Sequence, residues 1–160
     1  MATEVKAPGE YNKLLHPSVF LGGAIDQGKA ANWQEKVVKA LGDLDGLILN
    51  PRRDDWDPSW EESIDNPEFR KQVEWELKAQ EGADLRLYVL LDDSKGPVTM
   101  LEIGLFAKKD SVLCIEEGFY RRGNLEVIAE RYNVPIYRKL DEMLEDLHRA
   151  LEDAARKEKA

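Results

Sequence analysis

A chain of 160 residues with a formal net charge of -9 has room for one domain with a single buried core, and it carries no basic field to gather phosphate backbones or anionic lipid heads. Nucleic acid polymers and membranes are therefore not expected as partners. Hydrophobic residues make up 42% of the chain and charged residues 34%, the balance of a soluble globular protein.

The opening MATEVKAPGEYNKLLHP has no apolar core of signal-peptide length, and no later stretch approaches the roughly 18 apolar residues needed to cross a bilayer. A cytoplasmic location is expected. Residues 1 to 16 read as a loose leader, and SVFLGGA, a short apolar run ended by glycines, reads as a strand over about 18 to 23. KAANWQEKVVKALGD then places Trp33, Val37, Val38 and Leu41 at helical spacing.

GLILN, residues 46 to 50, is a second buried strand, and PRRDDWDPSWEESIDNPEF is a long polar loop of the kind that often carries function. Asn66 is a candidate N-cap with Pro67 at the first helical position, opening a helix to about Gly82. DLRLYVLL, residues 84 to 91, is the third strand; PVTMLEIGLFAKK, 97 to 109, is a helix opened by a proline. SVLCIEE is strand four, RGNLEVIAERYN a helix, VPIYR strand five, and residues 139 to 160 a closing amphipathic helix with Leu140, Leu144, Leu147 and Leu151 as its apolar stripe.

This alternation predicts a single α/β domain over residues 1 to 160, a doubly wound, flavodoxin- or Rossmann-like five-stranded parallel sheet flanked by helices. Ligands in such folds sit beyond the carboxyl ends of the strands, near the switch point of strand order. GGAIDQG, NPRRDDW, LDDSKGP and EEGFYRRG fall at those ends.

Among candidate groups Glu102 stands out, because it lies on the second turn of its helix among Met100, Leu101, Ile103, Leu105 and Phe106. Near a helix start the dipole favours a charged carboxylate, which suits a nucleophile; a solvent-facing charge is the other reading. Glu74 and Glu76, two residues apart in QVEWELKAQEGAD, cannot share a helical face, so at most one points into a site. Partial burial would raise the pKa of that one toward a general acid's, and the alternative is an exposed charged face.

Gly22 and Gly23 let the chain pass close to a ligand, and Asp26 can accept hydrogen bonds from sugar hydroxyls or a base; a simple turn accounts for the segment equally. NPRRDDWDPSW, with Arg53, Asp55 and Trp56, offers stacking faces and paired charges suited to a nucleobase, or else a salt-bridged structural loop. His16, His148 and the single Cys114 are too far apart in sequence to suggest a metal-ligand set. No metal or other cofactor is expected.

The segments VFLGGAID, ILNPRRDDW, FRKQVEWEL followed by AD, and PVTMLEIG, in that order over about residues 19 to 104, resemble the nucleoside 2-deoxyribosyltransferase family, most closely its 2-deoxyribosyltransferase-like branch. The resemblance implies a glutamate nucleophile at Glu102, in LEIG, that attacks the anomeric carbon of a 2'-deoxynucleoside and passes the sugar to a second base with retention. It implies a second acidic residue that protonates or holds the base, matched by Glu76 with Glu74 as fallback. Asp92 and Asp93 match a region where relatives carry an acidic residue near base or sugar, and Thr99 of PVTMLEIG joins the substrate-binding positions. The implied partners are a 2'-deoxynucleoside, a free nucleobase and further copies of the chain, as a dimer or larger homo-oligomer.

Two departures bear on substrate. Ala24 stands where nucleotide-cleaving relatives carry a phosphate-binding serine, which favours a free nucleoside, and Phe20 stands where relatives often carry a strand tyrosine. Any hydroxyl contact to the nucleophile must then come from elsewhere. Two other functions share the same residues: a nucleoside or nucleotide N-glycosidase in which water takes the sugar, and a non-catalytic nucleoside- or nucleotide-binding module.

Overall fold

In a computed structural model of the chain, residues 1–24 and 31–160 are described. The strands are β1 (Ala2–Lys6), β2 (Ser18–Gly23), β3 (Gly46–Asn50), β4 (Leu85–Leu90), β5 (Ser111–Ile115) and β6 (Ile136–Tyr137). They form one sheet in the order β1-β3-β2-β4-β5-β6, and every neighbouring pair is parallel. Strands three, two, four, five and six reproduce the flavodoxin-like winding, whose order reverses between β2 and β4.

Strict alternation along the strands builds two apolar layers. Phe20, Leu47, Leu49, Tyr88, Leu90, Leu113 and Ile115 point to one face, which is covered by α2 (Pro67–Gly82), α3 (Pro97–Phe106) and α4 (Arg122–Tyr132). Val19, Leu21, Ile48, Leu87, Val89 and Cys114 point to the other. That face is covered by α1 (Trp33–Leu41) and α5 (Leu140–Lys159) through Trp33, Val37, Leu41, Met143, Leu144 and Leu147. Among the described residues, no helix is long and apolar enough to cross a membrane.

The sheet has six strands where five are expected, because part of the supposed loose leader pairs with β3 from Ala2↔Gly46 to Lys6↔Asn50. An edge strand needs only one partner and tolerates charge along its open side. ATEVK therefore shows little apolar periodicity to read. Beyond its ladder with β3 and the packing of Val5 and Ala2 against the two cores, polar contacts hold it: Asn50 Nδ2 donates to Glu4 Oε2 at 2.9 Å, and Lys6 Nζ meets Asp54 Oδ2 at 2.9 Å.

Candidate active site

The register of α2 is set at its start, where Asn66 Oδ1 accepts from the N–H groups of Glu68 and Phe69 at 3.1 and 3.3 Å and Pro67 needs no donor partner. From that start, Gln72, Glu76 and Gln80 recur every fourth residue along the inward stripe, with Gln72 and Gln80 buried and Glu76 partly so. Glu74 turns outward to Arg70 at 3.8 Å. Of the two candidate glutamates, Glu76 is the one that faces the interior.

α3 follows a tight turn at Gly96, whose φ of 50° is left-handed and whose missing Cβ leaves space for Leu90. Pro97 then opens the helix, and Thr99, Glu102, Ile103 and Phe106 form its buried stripe. Glu102 is only 8% exposed. Thr99 lies one turn before it on the same stripe.

Glu102 meets α2 through Gln80. The Gln80 Nε2 group donates to Glu102 Oε2 and to the backbone carbonyl of Glu76 at 3.2 Å, while Gln80 Oε1 accepts from the Tyr88 hydroxyl at 2.7 Å. Beneath them Arg86 donates from Nη1 to the carbonyls of Gln80 and Ala83 at 2.7 and 2.8 Å, satisfying orphan acceptors at the end of α2. Gly22, the register partner of Tyr88, leaves by its missing side chain the space that the phenol ring fills. Gly23 does the same for Trp33.

Burial dominates the titration of both carboxyls. It pushes Glu102 up to about 7, against the Gln80 hydrogen bond that favours its charged form. Burial and then the charge of Glu102 push Glu76 up to about 8, opposed by a hydrogen bond from Gln72. Burial thus raises both carboxyls toward neutral pH, and the two titrate as one coupled pair.

Glu76 opens onto a cavity of about 330 Å³ walled also by Gln72 from α2, Pro51, Arg53 and Trp56 from the loop after β3, and Val98 from the first turn of α3. Larger hollows of about 780 and 840 Å³ lie along α5, against α1 and against the amino-terminal side of the sheet, away from these carboxyls. The smaller cavity is the one that Glu76 lines.

The long loop organises around Arg53. Its guanidinium meets Asp55 through Nε and Nη2 at 2.9 and 3.0 Å and lies 5.7 and 5.3 Å from the ring centres of Trp56 and Trp60. Gln72 Nε2 donates to the Pro51 carbonyl at 3.0 Å and fastens the loop to α2. Arg53 Nη1 and Gln72 Oε1 are buried without a hydrogen-bond partner.

Glu76, Arg53 and Trp56 thus gather at the cavity, with Glu102 and Thr99 on the buried stripe of α3. Asp55 points out and pairs with Arg53, so the salt-bridged reading of the loop accounts for it. Asp92 and Asp93 are exposed in the turn after β4, where burial and their charges together raise the pKa of Glu116; they are not among the cavity walls. Asp26 lies outside the described residues.

The fold is thus of the doubly wound parallel α/β class, with a buried carboxyl pair beside a cavity at the carboxyl ends of the strands, the edge where such folds usually bind ligands. More particularly, the family described as nucleoside 2-deoxyribosyltransferase like matches residues 16–119, and the chain belongs to that family. The match includes Glu76, Glu102 and every named wall of the cavity. A search of curated protein sequences returned no match.

Proposed function

We propose that the protein is a nucleoside 2-deoxyribosyltransferase acting on free 2'-deoxynucleosides. The observation that carries this reading is the placement of the two carboxyls: Glu102 is buried and held by Gln80 Nε2, and Glu76 on α2 lies at the wall of the cavity. A Glu102 oxygen bonds to C1' of the sugar as the C1'–N bond breaks, and the bond's electrons leave on the base nitrogen, which takes the Glu76 proton. A nitrogen of the second base then attacks C1', Glu102 departs as carboxylate, and Glu76 recovers a proton from the incoming base. Two displacements at one carbon give net retention.

Trp56 and Phe69 supply apolar surface for a base in the cavity beside Glu76. Ala24 at the end of β2 has no hydroxyl to offer a 5'-phosphate, in keeping with a nucleoside rather than a nucleotide. Incubation with deoxyinosine and adenine is expected to yield deoxyadenosine and hypoxanthine. Hypoxanthine with free deoxyribose, and no deoxyadenosine, would instead assign a hydrolase.

The same reading includes a homo-oligomer. α3 is apolar on nearly all sides, and Val98, Leu101 and Leu105 on its outer face are 64%, 65% and 60% exposed. A helix of this kind is normally buried, and Val98 is also a wall of the cavity. Leu101→Glu combined with Leu105→Glu is expected to bring the mass in light scattering down to that of a single chain and to lower transfer.

A further inference from the structure

We propose that Gln80 and Tyr88 are positioning residues for the nucleophile: the Tyr88 hydroxyl orients the Gln80 amide, and the amide holds Glu102 as a carboxylate with its other oxygen, Oε1, directed to the sugar. The inference rests on reading Glu102 as the nucleophile. All three side chains are buried, Gln80 and Tyr88 completely.

The amide has one satisfactory orientation. Its two N–H bonds reach the Glu76 carbonyl and Glu102 Oε2, and its oxygen takes the Tyr88 proton. Turned over, Oε1 would face two acceptor oxygens and the amine would face a hydroxyl that can donate, leaving buried groups unpaired. Tyr88 stays protonated because burial, with the nearby Glu102 charge, raises its phenol far above its ordinary range. It therefore acts as a donor at any working pH.

The charged groups facing Glu102 are few. Glu76 from α2 repels it, Tyr88 from β4 is neutral, and Arg86, on the Tyr88 side of the sheet, spends Nη1 on the carbonyls of α2. No ion pair reaches Glu102 among the described residues. The Gln80 amide is thus what favours its ionised form against burial. With Oε2 held by Gln80, Oε1, which accepts no hydrogen bond from the described residues, is the oxygen that forms the glycosyl bond.

The test compares wild type with Gln80→Met, similar in size but without polar hydrogens, and with Tyr88→Phe. A hydrogen bond to a charged group is worth on the order of one pH unit or more. The acidic limb of kcat/KM is therefore expected to move up by about one unit in Gln80→Met and by less in Tyr88→Phe. KM is expected to change little, and the deficit relative to wild type, about tenfold below the limb, narrows as pH rises. A deficit that is constant with pH, with the limb unmoved, would mean ordinary core packing and overturn the proposal.

A carbon-13 titration of the Glu102 carboxyl by NMR, assigned with Glu102→Gln, reads the same shift without turnover. If wild type neither transfers nor releases deoxyribose, the enzymatic reading fails, and the titration still decides whether Gln80 lowers the pKa of Glu102. Should Gln80→Met not fold, Tyr88→Phe carries both measurements.

Discussion

Glu102→Ala is expected to abolish transfer, with kcat/KM down by roughly 10⁴- to 10⁶-fold, the scale on which loss of a covalent nucleophile is felt. Base binding should persist, because the cavity walls belong to α2, the loop after β3 and the start of α3. Equilibrium dialysis with adenine separates the two effects: binding near the wild-type level with no turnover is the expected pair. Wild type stopped during turnover of a slow substrate should gain the mass of one deoxyribosyl group, and Glu102→Ala should gain nothing. Unchanged turnover in the variant would remove the mechanism.

The fold should survive that substitution. The Gln80 Nε2 donor loses its acceptor, at a cost of about 1–3 kcal/mol, while a buried carboxyl that resists ionisation is removed. With the Glu102 charge gone, the second cause of the upward shift of Glu76 disappears, and the remaining carboxyl should titrate below its present value of about 8.

Glu76→Gln is the second large effect, and it reads in stability as well as in rate. Glu76 has an ordinary pKa of 4.5 and a folded value of about 8, so between those limits the folded chain holds a proton that the unfolded chain has lost. Stability must then fall as pH rises through that window and level off above it. At about 1.4 kcal/mol per unit, and allowing for the partial exposure of Glu76, the loss is roughly a few kcal/mol. Urea unfolding at pH 5 and pH 9 is expected to show the combined loss from both carboxyls in wild type and less than half of it in Glu76→Gln, whose remaining slope belongs to Glu102 and ends near about 7.

In rate, wild-type kcat/KM should rise as Glu102 ionises near about 7 and fall as Glu76 ionises near about 8. The glutamine variant lacks the acid, so kcat should drop by about 10²- to 10⁴-fold on bases that need a proton to leave and much less on a base that leaves as a stable anion. A pH profile that keeps its alkaline limb in Glu76→Gln would assign that limb to another group.

Much of this site is legible in the residues alone, for reasons that can be stated. The spacing of Thr99, Glu102, Ile103 and Phe106 places Glu102 on the inner face of α3 once Pro97 is taken as the start. The choice between Glu76 and Glu74 needs the rotation of α2, which the Asn66 cap sets and which the stripe of Gln72, Glu76 and Gln80 makes visible every fourth residue. That stripe is the signal by which Gln72 and Gln80 are recognisable.

Tyr88 is harder to see. Within LRLYVL it passes for one more apolar strand residue, and only strand register brings its hydroxyl to Gln80. β1 is hidden for a different reason, since an edge strand held by side-chain polar contacts has no apolar period. In the loop, residue types alone do not tell Arg53 and Asp55 as ligands of a base from Arg53 and Asp55 as ligands of each other. Side-chain geometry chooses the latter for Asp55 and leaves Arg53 at the cavity wall.

The pairing of Gly22 with Tyr88 across β2 and β4 has a consequence for descent. Any side chain at position 22 would displace the phenol ring, and a displaced ring releases the Gln80 amide, so these three positions on three separate elements form one heritable unit. A lineage altering one of them passes through an ancestor whose Glu102 is poorly held unless the others change with it.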